Sequence, residues 1–79
     1  MHAVQLKLLA FAHAHDQLGF REQLVEYMPS ETPRMLLGRL APDVQCDTMR
    51  VAVDYEYRGW DEPLGEAREL ALIPPVSGG

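Results

Sequence analysis

The residues best suited to chemistry stand at the end of the chain, Pro74-Pro75-Val76-Ser77-Gly78-Gly79. Glycine has no Cβ, so the walls of a partner's site can close on a Gly-Gly backbone from every side. The α-carboxylate of Gly79 is left unhindered. That suits a chain whose reactive group is its own C-terminus, presented into another protein's active site. The plainer reading is a frayed, glycine-rich end, since termini are commonly poorly ordered. The residues just upstream argue against it. Leu70-Ala71-Leu72-Ile73 has the length and composition of a buried strand. Pro74 and Pro75 stop that strand, because neither has an N–H to give to a sheet and each pushes the preceding residue into an extended conformation. Residues 75–79 therefore leave the sheet as an extended peptide with a reach of roughly 16 Å.

Other chemistry-bearing residues are fewer. His13 and His15 share a metal ion only if they lie on a strand; on a helix, residues two apart point about 200° away from each other. The helical reading of that stretch leaves them as surface or packing histidines, and no metal site is expected. Cys46 has no base near it in sequence and reads as a packed, inert thiol. Trp60 reads as a lid on the core, and Glu62, Glu66 and Glu69 as a solvated face. There is no phosphate-binding glycine loop, no paired-cysteine motif and no His-Glu-x-x-His.

The elements that must position the tail follow from periodicity. Val4, Leu6, Leu8 and Ala10 alternate with Gln5 and Lys7, which predicts a strand over 3–10 with one buried face. Phe11, His15 and Leu18 share one side at helical spacing before Gly19, which predicts a short helix closed by a left-handed glycine. Phe20 to Met28 reads as an antiparallel edge strand blunted by its glutamates, ended by Pro29. Thr32 is a suitable N-cap and Pro33 fits the first helical position. The helix that follows is expected to bury Met35, Leu36 and Leu40 and to end at Pro42. Residues 41–48 read as a loop. Met49, Val51, Val53 and Tyr55 alternate with Arg50, Ala52 and Asp54, which predicts another strand. Tyr57 to Trp60 reads as a short return strand and residues 61–65 as a turn. The sheet face under the helix is expected to comprise Leu6, Leu8, Val51, Val53, Leu70 and Leu72.

Composition narrows the function. Seventy-nine residues make one small domain. Twelve acidic against seven basic residues give a net charge of −5. A chain this acidic, without a basic cluster, is poorly suited to nucleic acid or to anionic membranes. No apolar stretch approaches the length of a membrane span, and the start lacks the pattern of a signal peptide. A single cysteine cannot form an internal disulfide. The expected setting is cytoplasmic.

The ending Ala71-Leu72-Ile73-Pro74-Pro75-Val76-Ser77-Gly78-Gly79 resembles that of the small, sulfur-carrier subunits of molybdopterin synthase. The Pro-Pro-Val-Ser-Gly-Gly run separates these from other ubiquitin-like carriers, and looser likeness extends over most of the chain. Val51-Ala52-Val53 is similar to a strand of that family, with Asp54 where the family commonly has Asn. The chain departs from the family in a shorter helical region and in lacking an Asp-Gly-Asp turn before its last strand.

The resemblance implies an α+β, β-grasp (ubiquitin-like) fold. A mixed sheet of four to five strands would carry one main helix on one face, with first and last strands side by side and parallel. Residues 1–74 would form the domain and 75–79 the extended Gly-Gly tail. The implied activity is sulfur donation in molybdenum cofactor biosynthesis. A ubiquitin-activating-like adenylating enzyme consumes ATP to adenylate the Gly79 carboxylate, sulfur replaces AMP to give a thiocarboxylate, and the large synthase subunit receives the tail. There sulfur passes to a cyclic pyranopterin precursor. Pro75, Val76, Ser77 and Gly78 are the implied tail contacts, and no cofactor is bound by the chain itself. The family assembles as a heterotetramer. Because a short tail offers little area, the partner is also expected to grip an apolar patch on the exposed sheet face. Three other readings share these features: a sulfur carrier for thiazole synthesis, a ubiquitin-like protein modifier that forms isopeptide bonds, and a non-catalytic interaction domain.

Overall fold

The structure is a computed structural model that describes residues 4–10 and 22–73. The helix expected over 11–19, with His13 and His15, and the tail residues Pro75, Val76, Ser77, Gly78 and Gly79 lie outside the described residues. The described strands are β1 (Val4–Ala10), β2 (Glu22–Tyr27), β3 (Arg50–Val53), β4 (Glu56–Arg58) and β5 (Glu69–Ile73). Between β2 and β3 lie helix α1 (Pro33–Leu40) and a 3-10 turn over Cys46–Thr48. No helix among the described residues is long and apolar enough to cross a membrane.

The strands form one five-stranded sheet in the order β2-β1-β5-β3-β4. β1 and β5 run parallel, while β1–β2, β3–β5 and β3–β4 are antiparallel. First and last strands thus lie side by side, as the resemblance implies. β2 is an edge strand, as its mixed sequence predicts.

Alternation sets the two faces. Leu6, Leu8 and Ala10 of β1, Val25 and Tyr27 of β2, Val51 and Val53 of β3, and Leu70 and Leu72 of β5 are all buried on the helix side. The six sheet residues expected in the core are therefore in it. The helix starts where its sequence predicts. Thr32 Oγ1 accepts the Met35 N–H at 3.1 Å and Pro33 occupies the first turn.

The buried stripe of α1 differs from expectation. It consists of Pro33, Leu36 and Leu37, while Met35 is 56% exposed and Leu40 38% exposed. Each helical residue turns the chain by about 100°, so Leu36 and Leu37 flank the direction of Pro33 and Met35 points to the opposite side. Leu40 shares the inward direction, but it is the last helical residue and no further turn covers it. The expected strand over 49–55 is also shorter. Met49 is buried ahead of it, β3 ends at Val53, and Tyr55 lies in a turn.

Two polar arrangements hold the elements around this core. The Tyr27 hydroxyl accepts the Ala67 N–H at 2.6 Å and has the Gly65 and Ala67 carbonyl oxygens at 2.9 and 2.8 Å, one of which takes its proton. This ties β2 to the segment that leads into β5. Arg39 donates through Nε and Nη2 to the Glu31 carboxylate and through Nη2 to the Glu26 carbonyl. Glu31 also accepts the Met28 N–H at 2.8 Å. Burial works to raise the Glu31 pKa, but the Arg39 and Met28 hydrogen bonds and the Arg39 charge outweigh it and hold the carboxyl below its ordinary range.

Two consequences can be measured by urea unfolding. Leu36→Ala should cost about 2–5 kcal/mol, as expected for a fully buried leucine, while Leu40→Ala should cost about 1 kcal/mol or less. Equal costs would contradict the burial pattern. The Glu31 carboxyl binds its proton less readily in the folded than in the unfolded chain. Its contribution is therefore complete above the unfolded value of about 4.5 and is lost as pH falls through the lower folded value. The stability difference between the parent and Glu31→Gln should accordingly be largest near neutrality and shrink on acidification below about pH 4.5. A difference independent of pH would show that the ionised form is not the stabilising one.

Candidate functional site

β5 is the middle strand of the sheet and runs directly into the tail. On one side it pairs in parallel with β1, placing Leu9 beside Ala71. On the other it pairs antiparallel with β3, placing Ala52 beside Ala71 and Arg50 beside Ile73. β3 in turn places Tyr57 of β4 beside Ala52. The register therefore sets Leu9, Ala71, Ala52 and Tyr57 in one row across the face away from the helix. Two small residues stand between two large ones, and the result is a trough.

This trough has a volume of about 420 Å³ and is lined by Leu9, Ala52, Tyr55, Tyr57, Glu69, Ala71 and Ile73. Charged residues stand at both ends. At the tail end Arg50 lies opposite Ile73, with its guanidinium carbon 4.1 Å from the centroid of the Tyr57 ring. At the other end stands Glu69, the first residue of β5, with Lys7 of β1 beside it.

The β3–β4 hairpin forms the far wall. Val53 pairs with Glu56, so Asp54 and Tyr55 make a two-residue turn. Both have positive φ, 52° and 72°. That is the signature of a type I′ turn, whose twist suits the strands but which favours Asn or Asp followed by Gly. For an L-residue the left-handed region costs about 1–2 kcal/mol. Asp54 offsets this with its side chain. Its Oδ1 accepts the N–H groups of Arg68 and Glu69 at 2.9 and 3.0 Å, and its own N–H donates to the Glu69 carbonyl at 3.0 Å. The chain therefore turns here with Asp54 where the resembled family commonly has Asn. The same contacts fix where β5 begins.

The remaining candidates from the sequence fall away from the trough. Cys46 is half-buried in the 3-10 turn and packs against the core. Burial pushes its thiol up; the nearby Arg34 charge pulls the other way and Asp47 adds to the rise. A thiol held protonated is a weak nucleophile, in keeping with the inert reading. Trp60 packs against the core and donates its indole N–H to the Met49 carbonyl at 3.0 Å, as a lid does. Glu62 accepts the Gly59 N–H and Glu66 is exposed, but Glu69 is half-buried at the trough, so the three glutamates do not form one solvated face.

Sequence reasoning named no residue of the exposed-face patch. The signal was present in the outward positions of the strands. Leu9, Ala52, Tyr57 and Ala71 alternate with core residues where a solvated face would carry polar side chains.

The mixed sheet, with β1 and β5 parallel and α1 across a single face, defines a ubiquitin-like β-grasp domain. Solved structures agree. SAMP1 from Haloferax volcanii is 25% identical with a TM-score of 0.71, covering 96% of this chain and 100% of that one. The ubiquitin of Caldiarchaeum subterraneum shares the fold at 16% identity and a TM-score of 0.67, over 99% and 100% of the two chains. The chain belongs to the ThiS family, whose model matches residues 8–79. Among relatives, the molybdopterin synthase sulfur carrier subunit of Caenorhabditis briggsae is 36% identical over 96% of this chain and 99% of its own length. That of Chlamydomonas reinhardtii is 35% identical over 96% and 100%.

The Asp54 contacts can be tested by substitution. Asp54→Ala removes an acceptor from two backbone N–H groups and should destabilise the domain by about 1–3 kcal/mol. Asp54→Asn keeps an acceptor and tolerates the left-handed backbone, so it should unfold within about 0.5–1 kcal/mol of the parent. If the Ala variant matches the parent in thermal and urea unfolding, the side chain does not organise the start of β5.

Proposed function

We propose that this chain is the sulfur-carrier subunit of a molybdopterin synthase and that its working group is the Gly79 carboxylate. The observation that carries the reading is the placement of β5. The strand that runs into the Pro-Pro-Val-Ser-Gly-Gly segment is the middle strand of the sheet, held on both sides, with an apolar trough beside its end. A reactive terminus delivered to another protein needs a rigid root and a docking surface next to it. Both are present. The curated relatives, matched over nearly their full length, carry the name of this subunit.

The carboxylate is ionised at neutral pH and resists attack, so it must first acquire a leaving group. An adenylating enzyme of the ubiquitin-activating kind supplies one from ATP, and sulfur then replaces AMP to give the thiocarboxylate. The charged carrier docks on the large subunit and threads residues 75–79 into that subunit's site. Sulfur passes there to a cyclic pyranopterin precursor. Acid–base groups and pterin contacts belong to the large subunit, and this chain needs no cofactor of its own. Pro75, Val76, Ser77 and Gly78 are the tail residues that would contact the partner, and the missing Cβ at Gly78 and Gly79 suits a narrow channel. Two copies of each subunit form the assembly, in the cytoplasm. The trough supplies the area that a five-residue tail lacks, since stable interfaces bury about 800 Å² per partner.

A second reading has one observation in its favour: the likeness to an archaeal SAMP1 at 25% identity. A protein modifier would leave higher-mass adducts on lysines of other proteins, visible as a ladder on a blot of host extract. A carrier would instead be recovered from its host with one oxygen replaced by sulfur, about 16 Da heavier.

The decisive variant lacks Gly79. Supplied with activating enzyme, ATP, a sulfur source, large subunit and precursor, it should give no pterin product. Its new terminal carboxyl stops about 3.5 Å short of the reacting atoms, and a misplacement of even about 1 Å can cost roughly a hundredfold. Its stability should stay within about ±0.5 kcal/mol of the parent. Turnover at the parent rate would show that the C-terminus does not carry the sulfur.

A further inference from the structure

Among the described strands, β2 and β4 lie at the two edges of the sheet. An exposed edge is a row of N–H and C=O groups that invites a strand from another chain. β4 limits this by being only three residues long. β2 has six residues, and no described strand pairs with its outer side.

The pairing fixes which groups of β2 face outward. The Lys7 N–H donates to the Arg68 carbonyl at 2.9 Å, so Lys7 turns its peptide groups toward β5. Gln5, two residues earlier on the same strand, turns the same way. Lys7 and Gln5 stand opposite Leu24 and Glu26. In an antiparallel ladder such pairs exchange no hydrogen bonds, and both partners direct their N–H and C=O groups away from each other. Leu24 and Glu26 therefore direct theirs to the open side of β2. The Leu24 side chain, 64% exposed, adds an apolar contact to that edge.

Arg39 closes one of these positions. Its Nη2 donates to the outward Glu26 carbonyl at 3.1 Å and to Glu31 Oε1 at 2.9 Å, while its Nε donates to Glu31 Oε2 at 3.2 Å. Two bonds to one carboxylate set the plane of the guanidinium. The carboxylate is itself well anchored: the Glu31 side chain is 13% exposed and accepts the Met28 N–H. The guanidinium thus occupies the place where the N–H of an incoming strand would stand.

We propose that the Arg39–Glu31 pair is an edge guard that keeps β2 from pairing with β2 of a second copy of this chain. Two β2 strands paired antiparallel about Leu24 would set the two leucines against each other, and Glu22 of each copy against Glu26 of the other. That pairing needs each Glu26 carbonyl to accept the Glu22 N–H of the second copy, and Arg39 already holds it. The facing charges of Glu22 and Glu26 oppose the same arrangement. The guard does not depend on what the tail carries; it keeps the chain a monomer.

Sedimentation velocity and amide hydrogen exchange test this. The parent should run as a monomer. Arg39→Met loses the guanidinium while keeping most of the stem, and should dimerise at least tenfold more tightly. That dimer should strengthen with salt, which screens Glu22 from Glu26, and its Leu24 amide should exchange at least tenfold more slowly as protein concentration rises. Adding Leu24→Lys to Arg39→Met should restore the monomer. Glu31→Gln, which leaves Arg39 in place with a weaker anchor, should associate between the two, and it carries the test if Arg39→Met does not fold. A parent that dimerises through β2 overturns the proposal, as does a folded Arg39 or Glu31 variant that stays monomeric at every salt concentration. Association that Leu24→Lys fails to reverse overturns it too.

Discussion

The structure depends on β5 being held from both sides. It has β1 as a parallel neighbour and β3 as an antiparallel one, and it turns Leu70 and Leu72 into the core beneath α1. A strand at the end of a chain is usually the easiest to peel away, since fraying begins at termini. Here that route is closed. Removing β5 would part the sheet in two and expose the side chains at the centre of the core. β5 is thus among the most firmly held parts of the domain, and pulling on it meets the whole sheet rather than one edge.

That constraint reaches outward through contacts that set where β5 starts. Asp54 takes the N–H groups of Arg68 and Glu69, and the Tyr27 hydroxyl engages Ala67 and Gly65. Both act within the few residues ahead of the strand. Because the side chains of a strand alternate between faces, a one-residue slip would turn Leu70 and Leu72 toward solvent and Ala71 into the core. The polar contacts and the apolar alternation select the same register. The register then places Ala71 beside Ala52 and Ile73 beside Arg50, so the trough and the exit of the tail are consequences of the same pairing.

The strands that alternate cleanly were legible from sequence, and so was the N-cap of α1, because each rests on a local rule. The tail was legible as a motif. The stripe of α1 was misread at Met35 because an eight-residue helix offers only two turns of periodicity, and adjacent leucines at 36 and 37 make the phase ambiguous. Tyr55 was misread as strand because a β-forming residue continued an alternation that the backbone had already left. Propensity gave no sign of the turn, since the residue following Asp54 is not the glycine that a type I′ turn favours. The trough was the least legible feature. It arises from a row of residues on four strands, Leu9, Ala71, Ala52 and Tyr57, and no stretch of sequence brings those together.

The contrast between Asp54 and Tyr55 bears on how the two ends of the trough divide their work. Both hold a left-handed backbone, yet only Asp54 is compensated by side-chain hydrogen bonds to β5. Asp54 acts inward, fixing the strand, while Tyr55 acts outward, toward whatever covers the sheet. The tail end reverses the arrangement: Ile73 continues the strand while Arg50, stacked on Tyr57, faces out. Each end of the trough therefore pairs a residue that secures β5 with one that is free to meet a partner. Under the proposed function, the surface that docks is separate from the reactive end and must be rigidly coupled to it. One strand, held in the middle of the sheet, supplies that coupling over its own length.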